Sequence, residues 1–324
     1  MTIIPIYDSL LPKPPERRWE RESDAVQPLA LETLWRSRSS TLTAGPSNPE
    51  PGRSLETRTK EAQPTMELGI QDRHAIVCAS SRGLGRACAT SLAREGVHVT
   101  LNGRNPDALG EAVEAIAAEH GVAVEAVEGD IADESTQRSL LEACPSPDIL
   151  VNNNGGPPPG RFANWDREAW IGALDANMLA PLAMIRAVLD GMCERGFGRI
   201  VNITSAMVKT PLSPMGLSTG ARTGLTSVSK ALSRDVARSN VTINNLLPER
   251  IDTARQRGMA EVHSKLAGIS IEEAYDAMKA SIAAGRLGRP EEVGDACAFL
   301  CSAQAGFISG QNLQLDGASY GGLF

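Results

Sequence analysis

From residue 66 onward, short apolar runs alternate with longer stretches whose apolar positions recur every three or four residues. The runs at 74–78, 97–101, 122–128, 148–151, 199–203, 241–247 and 311–315 are rich in valine, isoleucine and leucine and predict strands. Most are apolar throughout, the pattern of strands covered on both faces. Helical periodicity fills the intervals at 83–95, 107–119, 134–144, 217–238 and 291–301, with a further helical segment over 270–283. A long helix is predicted over 167–193, bent near Pro181, whose ring removes a backbone donor. Alternating strands and helices imply an α/β architecture, a single doubly wound parallel sheet of the Rossmann type. Ligands of such sheets bind beyond the carboxyl ends of the strands, which directs attention to the loops there.

Residues 1–65 interrupt this pattern. They hold nine of the twenty prolines, two glycines, and nine basic against nine acidic residues, with no sustained period. A segment of this kind buries too little apolar surface to fold alone. It reads either as a disordered extension, with short apolar pieces at 3–7 and 29–35 able to dock, or as sequence upstream of a natural start at Met66. Its charges cancel, so residues 66–324 carry the whole net charge of −7. That acidity argues against general nucleic-acid affinity. No uninterrupted apolar run is long enough for a membrane-spanning helix, and no apolar leader for secretion is present. Cys78, Cys88, Cys144, Cys193, Cys297 and Cys301 lie in apolar or helical patterns without a Cys-x-x-Cys pair. They are expected to be free thiols of a cytoplasmic protein. The four histidines form no ligand spacing, and no metal is expected.

The first strand runs into Ala79-Ser80-Ser81-Arg82-Gly83-Leu84-Gly85, followed by a helix. A tight glycine turn there lets the backbone approach a pyrophosphate, and the helix N-terminus faces the negative charge. The second strand ends at Asn102-Gly103-Arg104, with Arg104 nineteen residues past Gly85. A carboxylate there would bond a ribose 2′-hydroxyl; a guanidinium favours a 2′-phosphate, with Arg82 able to close on it. Two cations and no carboxylate point to NADP(H) rather than NAD(H).

With these motifs in order, residues 70–320 resemble the short-chain dehydrogenase/reductase family, in particular its 3-oxoacyl-carrier-protein reductase-like members. Cys78-Ala79 stand where the family's glycine motif begins Thr-Gly. The resemblance implies cofactor contacts from Asp130 and Ile131 after strand three, and from Asn153, Asn154 and Gly155 in Asn152-Asn153-Asn154-Gly155. Pro248, Ile251 and Thr253 fall in the segment that grips the nicotinamide, with Glu249 replacing a glycine. Asn177 matches the asparagine that holds a water in the proton relay. Residues 285–293, and 309–317 with Asp316-Gly317, look like the group's C-terminal signature.

Hydride reduction of a carbonyl needs a donor to polarise the oxygen and a proton for the alkoxide. Ser205 falls at the family's polarising serine. The family's acid/base tyrosine and its partner lysine are replaced by Ser218 and Arg222. A serine hydroxyl is a far poorer acid than a phenol, and a guanidinium relays no proton at neutral pH, although Arg222 can hold ribose hydroxyls. Lys209, four residues after Ser205, is the candidate replacement proton source; Tyr275 and Tyr320 are others. Arg161, in the stiff loop Pro157-Pro158-Pro159-Gly160-Arg161-Phe162, and Arg255 and Arg257 are candidates to meet an anionic substrate group, or else solvated surface cations.

The expected function is NADPH-dependent reduction of a ketone, either a 3-oxoacyl thioester or a sugar-derived carbonyl. Two alternatives stand beside it: an NADP(H)-binding pseudoenzyme or sensor, and a non-redox lyase or isomerase on the same fold. The resemblance also implies a homodimer or homotetramer through helices 167–193 and 217–238, with Ala180, Ala183, Ala187, Ala221, Leu225 and Val228 at the interface.

Overall fold

A computed structural model describes residues 67–323. The extension expected over 1–65, including its apolar pieces, lies outside the described residues. Seven parallel strands form one sheet in the order β3-β2-β1-β4-β5-β6-β7. They are β1 (His74–Val77), β2 (His98–Gly103), β3 (Val124–Glu128), β4 (Ile149–Asn152), β5 (Gly198–Ile203), β6 (Val241–Pro248) and β7 (Asn312–Leu315). Every predicted strand is present within a residue or two.

The apolar runs explain how two cores form. Successive side chains of a strand point to opposite faces. Val77, Val151 and Val201 join one cluster, with Cys88 and Leu92 from α1 (Gly83–Arg94), Leu109 and Ile116 from α2 (Pro106–His120), and Val293 and Cys297 from α9 (Pro290–Cys301). Their neighbours Ile76, Leu150 and Ile200 join the other, with Leu140 from α3 (Glu134–Ala143), Met184 and Val188 from α5 (Ala180–Glu194), and Leu225 and Val236 from α6 (Gly216–Val236). All six cysteines are free and five are buried. Burial pushes the Cys78 thiol to about 12 and the Cys144 thiol to about 11, so neither is a nucleophile at neutral pH.

The long helix departs from expectation. It is α4 (Arg167–Leu174), a π-helical turn at Asp175–Leu179, and then α5. The irregularity precedes Pro181 rather than bending at it. Proline offers no N–H to the Asn177 carbonyl, and the Ala180 N–H bonds five residues back to Asp175. The stretch Arg167–Glu194 contains a window of mean hydropathy 1.3, making it the one helix among the described residues apolar and long enough to cross a membrane. Met184, Ile185, Val188 and Met192 instead pack it onto the sheet. Three of the residues expected at a subunit interface, Ala180, Ala221 and Leu225, are likewise buried within the protomer. Ile171, Leu179 and Ala187 are the outward-facing apolar positions.

Two helices lie between β6 and α9: α7 (Ala254–Ala267) and α8 (Ile271–Ala280). The first was not predicted, because its apolar stripe is thin. Its caps carry the signal instead: the Thr253 hydroxyl accepts from the Gln256 N–H, and Gly268 closes the helix with a left-handed φ of 67°.

Candidate functional site

The strand order reverses between β1 and β4, and a cleft of about 1470 Å³ opens beyond the carboxyl ends at that point. One half is built by the glycine turn. Ser81, Arg82, Gly83 and Leu84 line it, with Arg104, Asp130, Ile131, Asn153, Asn154 and Gly155. Ala79 adopts a left-handed φ of 46°, at the position where a glycine would sit without strain. Gly85 lies under the turn, where a Cβ would collide with the Ala79 carbonyl and approach Asn153 Nδ2 to 2.8 Å. Asn153 Nδ2 in turn donates to that carbonyl at 3.0 Å. Helix α1 opens into the cleft with no side-chain cap on its first turn. This contour fits a pyrophosphate: the backbone comes close, and the helix N-terminus supplies amide donors. The exposed Arg104 pairs with Asp130 at 3.3 Å on the rim.

Ser80 does not line the cleft. It is fully buried, donating to the Val77 carbonyl at 2.7 Å and accepting from the Asn102 N–H at 3.0 Å. Its role is to tie the ends of β1 and β2, and Gly85 serves by close approach rather than by lining. Asn102, which the sequence reading passed over, does more of this bracing. Its amide accepts from the Ala79 N–H and donates to the carbonyls of Val127 and Gly129, spanning three strands.

A second buried feature went unseen in the sequence. Asn152, Asn202, Asn245 and Asn312 stand in register on β4 to β7. Asn152 donates to Asn202 at 2.9 Å, Asn202 to Asn245 at 3.0 Å, and Asn245 to Asn312 at 2.8 Å. Asn202 also donates to Ser229 of α6. A satisfied amide chain fixes the register of an otherwise apolar sheet.

The other half of the cleft holds Ser205, Ser218 and Arg222. Ser205 lies just past β5, where its Oγ accepts from the Met207 N–H at 3.2 Å. Ser218 and Arg222, one turn apart on α6, line the same cleft and are both buried. Arg222 Nε donates to Ser218 Oγ at 3.2 Å; Nη1 donates to the carbonyls of Ile203 and Thr204 at 2.6 and 2.8 Å; Nη2 donates to the Asn154 carbonyl at 3.1 Å. One guanidinium thus ties the ends of β4 and β5 to α6. Burial, and then the positive charge of Arg255, bring its pKa down to about 10, leaving it charged at neutral pH. Pro248, Glu249, Ile251 and Thr253 line this side from the loop after β6. Burial raises the Glu249 carboxyl against the pull of Arg250.

Asn177 sits in the π turn and is not among the residues that line the cleft. It is 3 % exposed, its Nδ2 reaches the Ala173 carbonyl at 3.4 Å, and its Oδ1 has no hydrogen-bond partner among the described residues.

Lys209 is not at the site. Its Nζ donates to Gln314 Oε1 on β7 at 3.2 Å and lies 5.3 Å from the centre of the Tyr320 ring, outside the cleft lining. A loop position four residues from Ser205 sets the distance along the chain but not the direction of the side chain. Tyr275, Tyr320 and Arg161 are also absent from the lining, and so is Arg257. Arg255 lines it, donating to the carbonyls of Gly156 and Pro157 at 2.9 and 3.2 Å.

The seven-stranded order and the cleft at its switch point define a dinucleotide-binding α/β protein. A family model described as enoyl-(acyl carrier protein) reductase matches residues 78–318. The NADPH-dependent reductase BacG of Bacillus subtilis is 32 % identical over 255 residues, which cover 77 % of this chain and 98 % of that protein. The 3-oxoacyl-[acyl-carrier-protein] reductase FabG of Aquifex aeolicus is 30 % identical over 260 residues, covering 79 % and 100 %. The crystal structure of L-sorbose reductase from Gluconobacter frateurii, complexed with NADPH and L-sorbose, aligns with a TM-score of 0.76 at 28 % identity, covering 80 % of this chain and 100 % of that one. The chain belongs to the short-chain dehydrogenase/reductase family and is similar to its 3-oxoacyl-carrier-protein reductase members.

Proposed function

We propose that the chain is an NADPH-dependent oxidoreductase that reduces a ketone, with Ser205 polarising the carbonyl and the Ser218–Arg222 pair standing in for the usual tyrosine and lysine. The carrying observation is that Ser205, Ser218 and Arg222 line one end of a single cleft whose other end has the contour of a pyrophosphate cradle. The relatives support the reaction class: BacG and FabG are reductases, and L-sorbose reductase was crystallised with NADPH and a sugar ketone.

Ser81 to Leu84, Asn153 to Gly155, Ile131 and Thr253 would hold the cofactor, with Arg104 and Arg82 on its 2′-phosphate. Bound NADPH supplies a hydride to the carbonyl carbon. Ser205 Oγ accepts from Met207, which leaves its own O–H to donate to the substrate oxygen. Ser218 Oγ accepts from Arg222 Nε, which leaves its O–H for the same oxygen. The charged guanidinium behind it favours the developing alkoxide. The unpartnered Asn177 Oδ1 suits a bridging water through which solvent resupplies the proton. The substrate is a small carbonyl compound, and the protein is a cytoplasmic homodimer or homotetramer assembled through the outward side of α4 and α5.

The test is NADPH oxidation by the full chain against a carbonyl panel, beside Ser218→Ala. Turnover that falls about tenfold or more in Ser218→Ala supports the reading; the scale is that of losing one positioned donor. Tight NADPH binding with no turnover on any carbonyl overturns it in favour of a binding protein. Product formed without net cofactor change favours a lyase or isomerase.

A separate expectation concerns cofactor choice. Arg104→Ala should weaken NADPH binding about tenfold, with solvent screening holding a rim contact to that range, and should leave NADH binding nearly unchanged. Fluorescence titration with both nucleotides checks it; equal losses for the two would remove Arg104 from the 2′-phosphate.

A further inference from the structure

The charges at the reacting end do not balance. Gly156, on the loop after β4, is where they converge: a methyl placed there would lie 3.4 Å from Arg255 Nη2, 3.5 Å from Arg222 Nη2 and 3.5 Å from Ser218 Oγ. Donor accounting shows what each group has left. Arg222 has committed Nε, both Nη1 protons and one Nη2 proton, so one N–H remains. Arg255 spends one proton of each Nη on the Gly156 and Pro157 carbonyls, so Nε and one proton on each Nη remain. Among the described residues no carboxylate lies within 4.0 Å of either guanidinium, whereas eight other arginine and lysine side chains have such partners.

Two like charges that share a cleft wall repel, and each is worth more with an anion between them. The N-terminus of α7, where Thr253, Ala254, Arg255 and Gln256 line the cleft, adds a dipole of the same sign. A planar fork with three spare donors matches the two oxygens of a carboxylate. Beyond this corner the wall turns apolar: Leu212, Met215, Met259, Val262 and Met278 line it, and Leu212 and Val262 are 47 % and 51 % exposed. Apolar side chains left open inside a cleft match an apolar ligand body.

We propose that the substrate is a free oxo acid with an apolar body, its carboxylate held by Arg255 beside the carbonyl that Ser205 and Ser218 engage. This rests on the reductase reading and narrows it, setting aside thioesters and neutral sugars. A thioester has no carboxylate beside its ketone, and a sugar leaves the apolar wall unmatched.

The experiment uses the full chain with saturating NADPH, and 4-methyl-2-oxopentanoate and 3-oxohexanoate as probes, each beside its methyl ester. The acids should exceed their esters in kcat/KM by about tenfold or more, the scale of one charge-assisted fork. Arg255→Gln should bring the acids down toward the esters, chiefly through KM. Gly156→Ala should do the same, since its methyl makes ordinary contacts and its φ is not left-handed, so the fold tolerates it. Esters reduced as well as acids by the native protein would overturn the proposal. So would an Arg255→Gln variant whose only change is weaker NADPH binding, which assigns the guanidinium to cofactor phosphate. If no carbonyl is reduced, the reductase reading fails by itself; calorimetric titration of the same probes onto the NADP⁺-loaded protein then decides the acid site, supported by acid binding without ester binding and overturned by neither binding.

Discussion

Replacing Arg222 with methionine is expected to cost about 3–5 kcal/mol of folding stability, the scale for removing one member of a buried charge-assisted network. The reason lies in what the guanidinium holds. The Ile203, Thr204 and Asn154 carbonyls and Ser218 Oγ all accept hydrogen bonds from it, in a site that is largely buried. A methionine of similar length fills the space and leaves the acceptors unpaired, and each pays a desolvation penalty. For a domain of this size the melting temperature should fall by about 6–20 °C, read by circular dichroism. Arg222→Lys should fall by less, because an ammonium keeps three donors, but it should not match the native protein, because donors from one point cannot span both strand ends. Stability equal to the native protein in Arg222→Met would show that the strand ends need no such tie.

Replacing Ser205 with alanine is expected to lower kcat/KM by about 100- to 1000-fold, the range for deleting one positioned donor to a developing oxyanion. NADPH binding should change little, since the glycine turn and Arg104 lie at the other end of the cleft. A stability loss of about 1 kcal/mol should accompany it, because Ser205 Oγ also caps the short 3₁₀ turn at Ala206–Val208. Steady-state kinetics beside nucleotide titration separates the two effects. Activity within threefold of native would move polarisation of the carbonyl to Ser218 alone.

Legibility in the sequence followed the range of the interaction. The strands were legible because an apolar run is a local property, and the α/β alternation then implied a doubly wound parallel sheet, whose strand order only the structure gives. Ser81 to Leu84 were legible because a glycine turn between strand and helix needs only a few consecutive residues. Lys209 was misplaced for the converse reason: nearness to Ser205 along the chain says nothing about a side chain that crosses to Gln314, 105 residues on. The asparagine ladder escaped because its four members are spread over 160 positions and meet only through strand register. Helix α7 escaped because its stripe is thin, although Thr253 and Gly268 mark its ends.

The sequence by itself determined the class of fold and the dinucleotide motif, and it set Ser218 and Arg222 four residues apart in one helical stretch. These are properties of residue type, spacing and period, which the chain carries before it folds. Tertiary structure alone decided what surrounds these two residues. It committed all but one donor of Arg222 to serine and backbone acceptors on three separate elements, left the Ser218 hydroxyl free to donate, and brought Arg255 to the same corner on the first turn of α7. A hydrogen bond or a charge pair depends on distance in space. Residues 154, 203, 218 and 255 acquire theirs only when the strand ends of β4, β5 and β6 are set side by side.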